Sequence, residues 1–210
     1  MKNNTSFILL AGGKSERMGV DKGLLKYQQT YWILEQLQRV SKTSIKNVYI
    51  GLGYHYKNYF KAIPWFEEAI TVPVQFMGLN VKIEINSRPQ FGAFSTLQTV
   101  LKTITANYDV LINHVDIPIL NVVDSEKIIA TKNTVVIPTF HHKKGHPVKL
   151  SYPFWEGLLA VAIENEEARL DYQLKNLPAS SFTYVEVKDS VITKNLNTKK
   201  EWILYLKEIN

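Results

Sequence analysis

Residues 7–25 read FILLAGGKSERMGVDKGLL, an apolar run that gives way to a glycine pair, then to polar and charged residues, and then to apolar residues again. The apolar run from Phe7 to Leu10 is typical of a strand buried in a parallel sheet. Ala11, Gly12 and Gly13 come next, and their small size would let backbone N–H groups approach an anion closely. The stretch therefore predicts a strand followed by a phosphate-binding loop.

Three side chains of this loop suit a polyphosphate ligand. Ser15 supplies a hydroxyl group, Arg17 a planar guanidinium and Lys22 a compact ammonium group. The spacing differs both from a Walker loop and from the Gly-x-Gly-x-x-Gly fingerprint of dinucleotide-binding folds. The alternative is an ordinary glycine-rich turn between a strand and a helix, with charged residues on its surface.

Composition limits the class of protein. A chain of 210 residues, 45% hydrophobic and 21% charged, fits one globular domain, and we place no boundary within residues 1–210. No apolar stretch is long enough for a membrane helix, and the first residues lack the features of a secretory signal, so we expect a cytoplasmic protein without a membrane partner. The absence of cysteine excludes disulfides, thiolate nucleophiles and cysteine-ligated metal sites.

The charge pattern points to small acidic partners. Lysine and arginine number 25 against 19 acidic residues, a net charge of +6 that favours nucleotides or phosphorylated metabolites. The cations are dispersed along the chain, so nucleic acid is not expected as a partner. The aromatic-rich stretch 54–76 contains few basic residues and is expected to pack within the fold rather than to stack on bases.

Strand and helix patterns alternate along the chain. This alternation predicts a single three-layer α/β domain, with a mostly parallel sheet and helices on both faces. Ligands of such sheets bind beyond the carboxyl ends of the strands, where the glycine loop lies. The predicted helices are Tyr31–Val40, Ser95–Ile104 and Glu201–Ile209, and the further predicted strands are Val48–Ile50, Val81–Ile85, Val110–Val115 and Val135–Pro138, the last ended by its proline.

Asp116 is the strongest candidate for a metal ligand. It follows the apolar strand Val110–Val115 and precedes Ile117 and Pro118, at a strand end where a carboxylate could reach a ligand. Mg²⁺ takes hard oxygen ligands and commonly combines one or two carboxylates with substrate phosphates. A turn former or helix cap is the alternative for an aspartate placed just before a proline.

The order Leu-Ala-Gly-Gly-x-Ser-x-Arg-Met-Gly-x-Asp-Lys-Gly-Leu-Leu in residues 10–25 resembles the N-terminal signature of the molybdenum cofactor guanylyltransferases, within the MobA-like nucleotidyltransferases. The resemblance implies a Rossmann-like nucleotidyltransferase fold. It also implies that Asp116 is the family's metal ligand, that Arg17, Lys22 and Asp116 are catalytic, and that Mg²⁺ is the cofactor. The nucleotide-binding residues it implies are Leu10, Ala11, Gly12, Gly13, Ser15, Arg17, Lys22 and Gly92.

Two later segments extend the resemblance. Gly145-His146-Pro147-Val148 is similar to the family's His-Pro segment, which implies that His146 and Pro147 lie near the acceptor substrate. Asn195 and Asn197 stand in an Asn-x-Asn-Thr element that implies further acceptor contacts. Lys199-Lys200-Glu201 replaces the Pro-Glu that usually follows this element. The alternatives are a strand that begins after a proline, and an asparagine turn that caps the last helix.

The segment after Arg88 does not decide which base the nucleotide carries. Guanylyltransferases usually have Gly-Pro-Leu-Ala-Gly here, whereas Gly92-x-x-Ser95-Thr96-Leu97 is nearer to the pattern of the cytidylyltransferases that act on the same cofactor. Ser95 could also be a helix N-cap, and Arg88 an exposed structural residue.

The resemblance implies an enzyme that transfers GMP from GTP to a molybdopterin-type acceptor and releases pyrophosphate. A cytidylyltransferase for that acceptor and a nucleotidyltransferase for another phosphorylated metabolite are alternatives within the same class. A catalytically silent nucleotide-binding protein is the alternative from another class. We expect a monomer or a weak homo-oligomer, and no zinc site among the histidines.

Overall fold

The computed structural model of the chain describes residues 4–209. Nine of its strands form one sheet in the order β11-β8-β10-β7-β1-β4-β6-β5, with β9 paired to β8, and β2 and β3 pair separately. The strands are β1 (Thr5–Ala11), β2 (Lys26–Tyr27), β3 (Thr30–Tyr31), β4 (Asn47–Leu52), β5 (Val74–Phe76), β6 (Leu79–Ile85), β7 (Asp109–His114), β8 (Val135–Phe140), β9 (Lys143–Lys144), β10 (Val148–Leu150) and β11 (Phe182–Glu186).

Helices connect and cover these strands. They are α1 (Trp32–Ser41), α2 (Tyr56–Ala62), α3 (Trp65–Glu68), α4 (Gly92–Leu101), α5 (Val122–Ala130), α6 (Tyr152–Leu158), α7 (Leu170–Lys175) and α8 (Lys199–Ile209). Short 3₁₀ turns lie at Lys22–Leu24, Pro89–Phe91, Ala179–Ser181 and Ser190–Thr193. No helix within the described residues is long and apolar enough to cross a membrane.

Strand β1 lies at the centre of the sheet between β4 and β7, and both neighbours run parallel to it. Strands β6, β8 and β11 have the same direction, while β5, β9 and β10 run the opposite way. All seven residues of β1 are buried, which explains why the segment from Phe7 to Ala11 is continuously apolar rather than alternating. The prediction of a mostly parallel α/β sheet is confirmed.

The two faces of β1 belong to two separate cores. Phe7 and Leu9 pack in the larger core with residues of α1, α2, α3, α5 and α8, whereas Ile8 and Leu10 pack in the smaller core with α4, α6 and α7. Successive side chains of a strand point to opposite faces, so one apolar strand serves both cores. Helices therefore cover both faces of the sheet, as the alternation of elements predicted.

Helix α4 and strand β8 are among the elements whose bounds differ from the prediction. Helix α4 begins at Gly92 and ends at Leu101, three residues earlier at each end than predicted. Strand β8 continues through Pro138 to Phe140. A proline without an N–H group is accommodated there because β10 pairs only with Val135 and Val136, and β9 pairs only beyond Pro138.

The aromatic stretch 54–76 forms α2, α3 and strand β5, which lies at the edge of the sheet. Tyr59 and Phe66 are buried in the larger core, and their rings stack with centroids 6.5 Å apart. Burial raises the pKa of Tyr59 above its ordinary value, because the charged phenolate would be poorly solvated there. The expected packing role of this stretch is confirmed.

The connectivity brings the carboxyl ends of β1 and β7 together. From β1 the chain moves outward through β4 to β6, and it then crosses back to form β7 on the other side of β1. Such a reversal opens a crevice at the carboxyl edge of the sheet. The glycine loop after β1 and the segment 115–118 after β7 both border this crevice.

Candidate active site

Lys22 joins three segments that are far apart in the sequence. Its Nζ donates to Asp116 Oδ2 at 2.7 Å and to Asn197 Oδ1 at 2.6 Å. The side chains of Lys22 and Asp116 are only 15% and 20% exposed, so solvent screens this ion pair incompletely. An ammonium group has three N–H donors, and two of them are engaged here, which leaves the third for a ligand.

Helix α1 fixes the segment that carries Asp116. Trp32 Nε1 donates to the backbone oxygen of Val115 at 2.7 Å, and Gln36 Nε2 donates to that of Ile117 at 2.9 Å. Gln36 Oε1 also accepts from the backbone N–H of Ile119 at 2.9 Å. Because Trp32 and Gln36 are fully buried, these hydrogen bonds do not compete with water.

The glycine loop lines a cleft of about 430 Å³, called here the glycine cleft. Gly12 packs so closely on α4 that an added Cβ would lie 2.8 Å from Thr96 Oγ1, whereas a Cβ on Gly13 would meet nothing within 4 Å. Gly12 is thus required by packing, and Gly13 keeps the cleft open. The predicted residues that line the cleft are Leu10, Ala11, Gly12, Gly13, Ser15, Lys22, Gly92 and Asp116.

Three contacts hold the loop in place around Lys22. Ser15 Oγ accepts a hydrogen bond from the backbone N–H of Lys22 at 3.2 Å. The buried carboxylate of Asp21 accepts from Asn58 Nδ2 at 2.8 Å, and its other oxygen lies 3.1 Å from His55 Nδ1. The loop is therefore anchored to α2, which sequence reasoning did not foresee.

Arg17, predicted as a catalytic and nucleotide-binding residue, does not lie with the other predicted residues at the glycine cleft. It is exposed, lies in the turn after Ser15, and is not among the described residues that line the glycine cleft. Its charge acts instead on Glu201, where it helps to lower the pKa of a carboxyl group whose main stabilisation is a hydrogen bond with Thr198. The place of Arg17 in the catalytic set stays a prediction.

The start of α8 positions Asn197. Glu201 Oε2 accepts from the backbone N–H groups of Asn197 and Thr198 at 2.9 and 2.7 Å, and Thr198 Oγ1 accepts from the N–H of Glu201 at 3.3 Å. This reciprocal arrangement is a capping box, so the cap is Thr198 rather than an asparagine. The backbone N–H of Leu196 donates to the backbone oxygen of Asp116 at 2.8 Å and ties the segment to the site.

His146 lies beside the glycine cleft, against His114 at the end of β7. The two rings are perpendicular, with centroids 5.0 Å apart. Burial, together with the neighbouring His114, lowers the pKa of His146 to about 4, and burial also lowers the pKa of His114. His146 Nδ1 is buried and accepts or donates no hydrogen bond within the described residues.

Two further cavities meet at this histidine pair. The first, about 420 Å³, is called here the lysine hollow and is bordered by Lys143, Lys144, Asp116 and Asn195. The second, also about 420 Å³, is lined largely by apolar side chains and is called here the apolar cavity. Both are lined by His114 and His146. Pro147 is buried, and it lines neither cavity among the described residues.

Gly92 lines both the glycine cleft and the apolar cavity. It has a φ of 78°, in the left-handed region that favours glycine. Ser95 is not an N-cap, because it lies inside α4, where its hydroxyl donates to the backbone oxygen of Gly92 at 2.8 Å. Asn86 Nδ2 donates to Ser95 Oγ and to Thr96 Oγ1 at 2.8 and 3.0 Å, so this polar set fixes the start of α4.

Sequence reasoning missed several residues that line the glycine cleft: Tyr54, Pro89, Gln90, Ala93, Thr96 and His114. Tyr54 follows the end of β4, and His114 ends β7. Their positions at strand ends bordering the crevice were the available signal, since ligands bind at that edge.

The residues present fit Mg²⁺ held mainly by substrate. Within the described residues, no group of three or more histidine, cysteine or acidic side chains could enclose a metal ion. Asp116 offers one carboxylate beside the glycine cleft, and Asn195 and Asn197 offer amide oxygens nearby. One carboxylate combined with substrate phosphate oxygens is a common way for proteins to bind Mg²⁺.

The family model described as a MobA-like NTP transferase domain matches residues 7–177. The chain belongs to the MobA-like NTP transferase family. The match confirms the resemblance found at the glycine loop and supports nucleotidyltransferase chemistry with a nucleotide substrate. It ends before Asn195 and Asn197. The structure nevertheless brings Asn197 to Lys22 and Asn195 to the lysine hollow.

Solved structures share the fold of this MobA-like domain at low identity. A homologue of Rv0371c from Mycobacterium sp. strain JC1 has a TM-score of 0.76 at 16% identity, covering 100% of this chain and 98% of its own. A nucleotidyl transferase from Methanothermobacter has a TM-score of 0.74 at 15% identity, covering 99% of this chain and 100% of its own. Molybdopterin-guanine dinucleotide biosynthesis protein A from Archaeoglobus fulgidus has a TM-score of 0.67 at 15% identity, covering 97% of each chain. Among curated proteins, no sequence matches the chain significantly.

Proposed function

We propose that this MobA-like protein transfers GMP from GTP to a phosphate group on a molybdopterin-type acceptor and releases pyrophosphate. The observation that carries the proposal is the contact of Lys22 with Asp116 and Asn197 at the edge of the glycine cleft. This contact unites three of the segments that carry the family resemblance around one cation. The fold shared with the molybdopterin-guanine dinucleotide biosynthesis protein supports the choice of acceptor.

The reaction is an in-line displacement. An oxygen of the acceptor phosphate forms a bond to the α-phosphorus of GTP, while the bond from that phosphorus to the bridging oxygen of the β-phosphate breaks, and pyrophosphate leaves with the electron pair. Such chemistry depends on positioning and on charge neutralisation more than on a covalent intermediate. Lys22 would neutralise the triphosphate with its third N–H, and the amides of Gly12 and Gly13 would contact its oxygens.

Asp116 would hold Mg²⁺ together with phosphate oxygens of the nucleotide, and the bound ion would supply additional positive charge. Lys22 keeps the Asp116 carboxylate oriented. Trp32 and Gln36 of α1 hold the backbone on either side of Asp116. The catalytic roles of Lys22 and Asp116 and the dependence on Mg²⁺ are part of this proposal.

A cytidylyltransferase for the same acceptor is the second candidate. Gly92 and Thr96, which belong to the segment similar to cytidylyltransferases, both line the glycine cleft. A catalytically silent nucleotide-binding protein is the third candidate. It is favoured by the amides of Asn195 and Asn197, since an amide oxygen attracts a metal ion less strongly than a carboxylate does.

Calorimetric titration with GTP, CTP, ATP and UTP in the presence of Mg²⁺ tests the donor. We expect tightest binding of GTP, and weaker binding to an Asp116→Asn variant. Glu166→Gln, an exposed site with the same loss of charge, serves as the control and should bind GTP like the parent. Tightest binding of CTP would instead favour the cytidylyltransferase, and binding of none of the four would overturn the donor site.

Pyrophosphate release with GTP and molybdopterin then tests the acceptor. Release that requires both substrates and is lost in Asp116→Asn would support the whole proposal. Binding of GTP without any pyrophosphate release, with molybdopterin present, would favour the silent nucleotide-binding protein.

A further inference from the structure

The residue before Lys22 is held by α2 and by the residue that precedes this helix. The side chain of Asp21 is only 6% exposed. Its Oδ2 accepts a hydrogen bond from Asn58 Nδ2 at 2.8 Å, and its Oδ1 lies 3.1 Å from His55 Nδ1. A carboxylate that has lost most of its contact with water needs such partners, because burial without them is costly. The position of Asp21 is therefore restrained by these two side chains.

The residue after Lys22 is held by the same helix. Gly23 packs so closely on the buried ring of Tyr59 that an added Cβ would lie 2.7 Å from Cε1 of that ring. The Tyr59 hydroxyl group also forms a hydrogen bond with the backbone of Gly23. The backbone N–H of Leu24 donates to the backbone oxygen of Asp21 at 2.8 Å and closes the short turn. The backbone of Lys22 is thus held on both sides by α2.

Helix α2 is in turn attached to the glycine loop. The backbone N–H of Tyr54 donates to the backbone oxygen of Gly12 at 3.1 Å, and both residues line the glycine cleft. The next residue, His55, has a φ of 56°, in the left-handed region that is uncommon for residues other than glycine. This turn leads the chain from the wall of the cleft into α2. The contacts described here therefore connect that wall to Lys22.

The orientation of the Lys22 ammonium group depends on where the backbone holds the base of its side chain. The side chain is a flexible four-carbon stem, and its Nζ lies 2.7 Å from Asp116 Oδ2 and 2.6 Å from Asn197 Oδ1. Hydrogen bonds of this kind weaken steeply beyond about 3.2 Å. A displacement of about 1 Å at a catalytic group can lower a rate by up to about a hundredfold.

We propose that Asp21 is a positioning residue, which orients Lys22 toward the triphosphate through its contacts with His55 and Asn58. The inference rests on the proposed function, because Lys22 is the group that neutralises the triphosphate there. It goes beyond that function in giving a role to a buried carboxylate and to α2, neither of which contacts a substrate in the proposed reaction.

Crystal structures of two variants test the positioning without any ligand. Asp21→Ala removes the carboxylate. Asn58→Ala removes one of its partners at an exposed position, where the change should not prevent folding. We expect Lys22 Nζ to lose its hydrogen bond with Asp116 or with Asn197 in these variants. Retention of both contacts in both variants would overturn the inference.

A double-mutant cycle on pyrophosphate release separates positioning from general support of the fold. Asp21→Ala and Asn58→Ala should each slow turnover about tenfold in the parent protein. In a Lys22→Met background neither should slow it further, because a residue that acts through Lys22 then has nothing to orient. Lys61→Ala, at another exposed position of α2, is the control and should retain parental turnover.

The same fold loss in both backgrounds would overturn the inference, since Asp21 would then support the protein independently of Lys22. Parental turnover in both single variants would overturn it as well. Absence of pyrophosphate release by the parent protein with GTP and molybdopterin would count against the proposed function instead. The variant structures decide the positioning role of Asp21 in that case too.

Discussion

Lys22 and Asp116 form a partly buried ion pair whose geometry leaves one ammonium N–H for a ligand. Replacement by the uncharged Lys22→Met removes the cation and keeps most of the volume of the side chain. We expect turnover to fall by about 10²-fold or more, because the developing charge on the phosphates would be poorly neutralised. Stability should change by about 1 kcal/mol, since the Asp116 carboxylate keeps some access to water.

Pyrophosphate release and urea denaturation measure the two effects of Lys22→Met separately. Lys46→Met, at an exposed position outside the site, is the matched control and should retain parental turnover. Parental turnover in Lys22→Met would show that this lysine is not part of the catalytic machinery.

Gly13 faces open space in the glycine cleft, in contrast to Gly12, which packs on Thr96. A Gly13→Val variant should therefore fold normally but lose triphosphate affinity by about tenfold or more, because its side chain occupies the space of the ligand. Calorimetry with GTP measures the loss. Gly157→Val, at a second glycine with no neighbouring atom within 4 Å, should bind GTP like the parent. Unchanged affinity in Gly13→Val would place the triphosphate elsewhere.

At the scale of elements, helix α1 acts as the support of the Asp116 segment. Gln36→Leu keeps most of the side-chain volume but leaves the backbone N–H of Ile119 without its buried partner, whereas the oxygen of Ile117 still accepts from Asn113 Nδ2 at 2.8 Å. An unpaired buried group costs about 1–3 kcal/mol, so we expect a loss of about 1–3 kcal/mol in the free energy of unfolding, with reduced turnover. Gln38→Leu, at a half-buried position on the same helix, should lower the free energy of unfolding much less.

Urea denaturation gives the stability of both α1 variants, and pyrophosphate release gives their activity. A Gln36→Leu variant as stable and active as Gln38→Leu would show that the segment is held by other contacts.

The order and type of the central elements could be predicted because local sequence determines them. Strand β1 is buried on both faces and is therefore apolar from Phe7 to Ala11, and the spacing of apolar residues in α1 defines its buried side. The path of β8 through Pro138 could not be predicted, because it depends on where β9 and β10 pair with it. That pairing is a tertiary property with no local signature.

The same division applies to the site. The glycine loop was predicted from its residue types, whereas the roles predicted for Asp116 and Asn197 depend on the resemblance to the family. The anchoring of Asp21 by His55 and Asn58, and the meeting of His114 with His146, join distant segments through the fold alone. Arg17 shows the converse, since it belongs to the motif but is not among the described residues that line the cleft.

At the scale of the whole molecule, the partly buried His146 makes stability depend on pH. Its folded-state pKa of about 4 lies below the ordinary value of 6.5, so the unfolded chain binds more protons between these values. This contribution is complete above the unfolded pKa and is lost as the pH falls toward the folded pKa. Between about pH 7.5 and about pH 5 the loss from this group should be about 2 kcal/mol.

Urea denaturation at both pH values measures this loss in the parent and in His146→Gln, which has no titrating group at that position. The variant should lose about 2 kcal/mol less than the parent on acidification. His142→Gln, at an exposed histidine, should follow the parent. Equal losses in all three proteins would mean that His146 titrates normally in the folded state.

The contacts of Lys22 reach across 94 and 175 positions of sequence, which has a consequence for the timing of synthesis. While the chain grows on the ribosome, the glycine loop and β1 emerge first, long before the residues that orient the lysine. A nascent chain therefore cannot hold a nucleotide in this geometry until the segment with Asn197 has emerged and packed. The full set of contacts that orients Lys22 is therefore completed only late in synthesis.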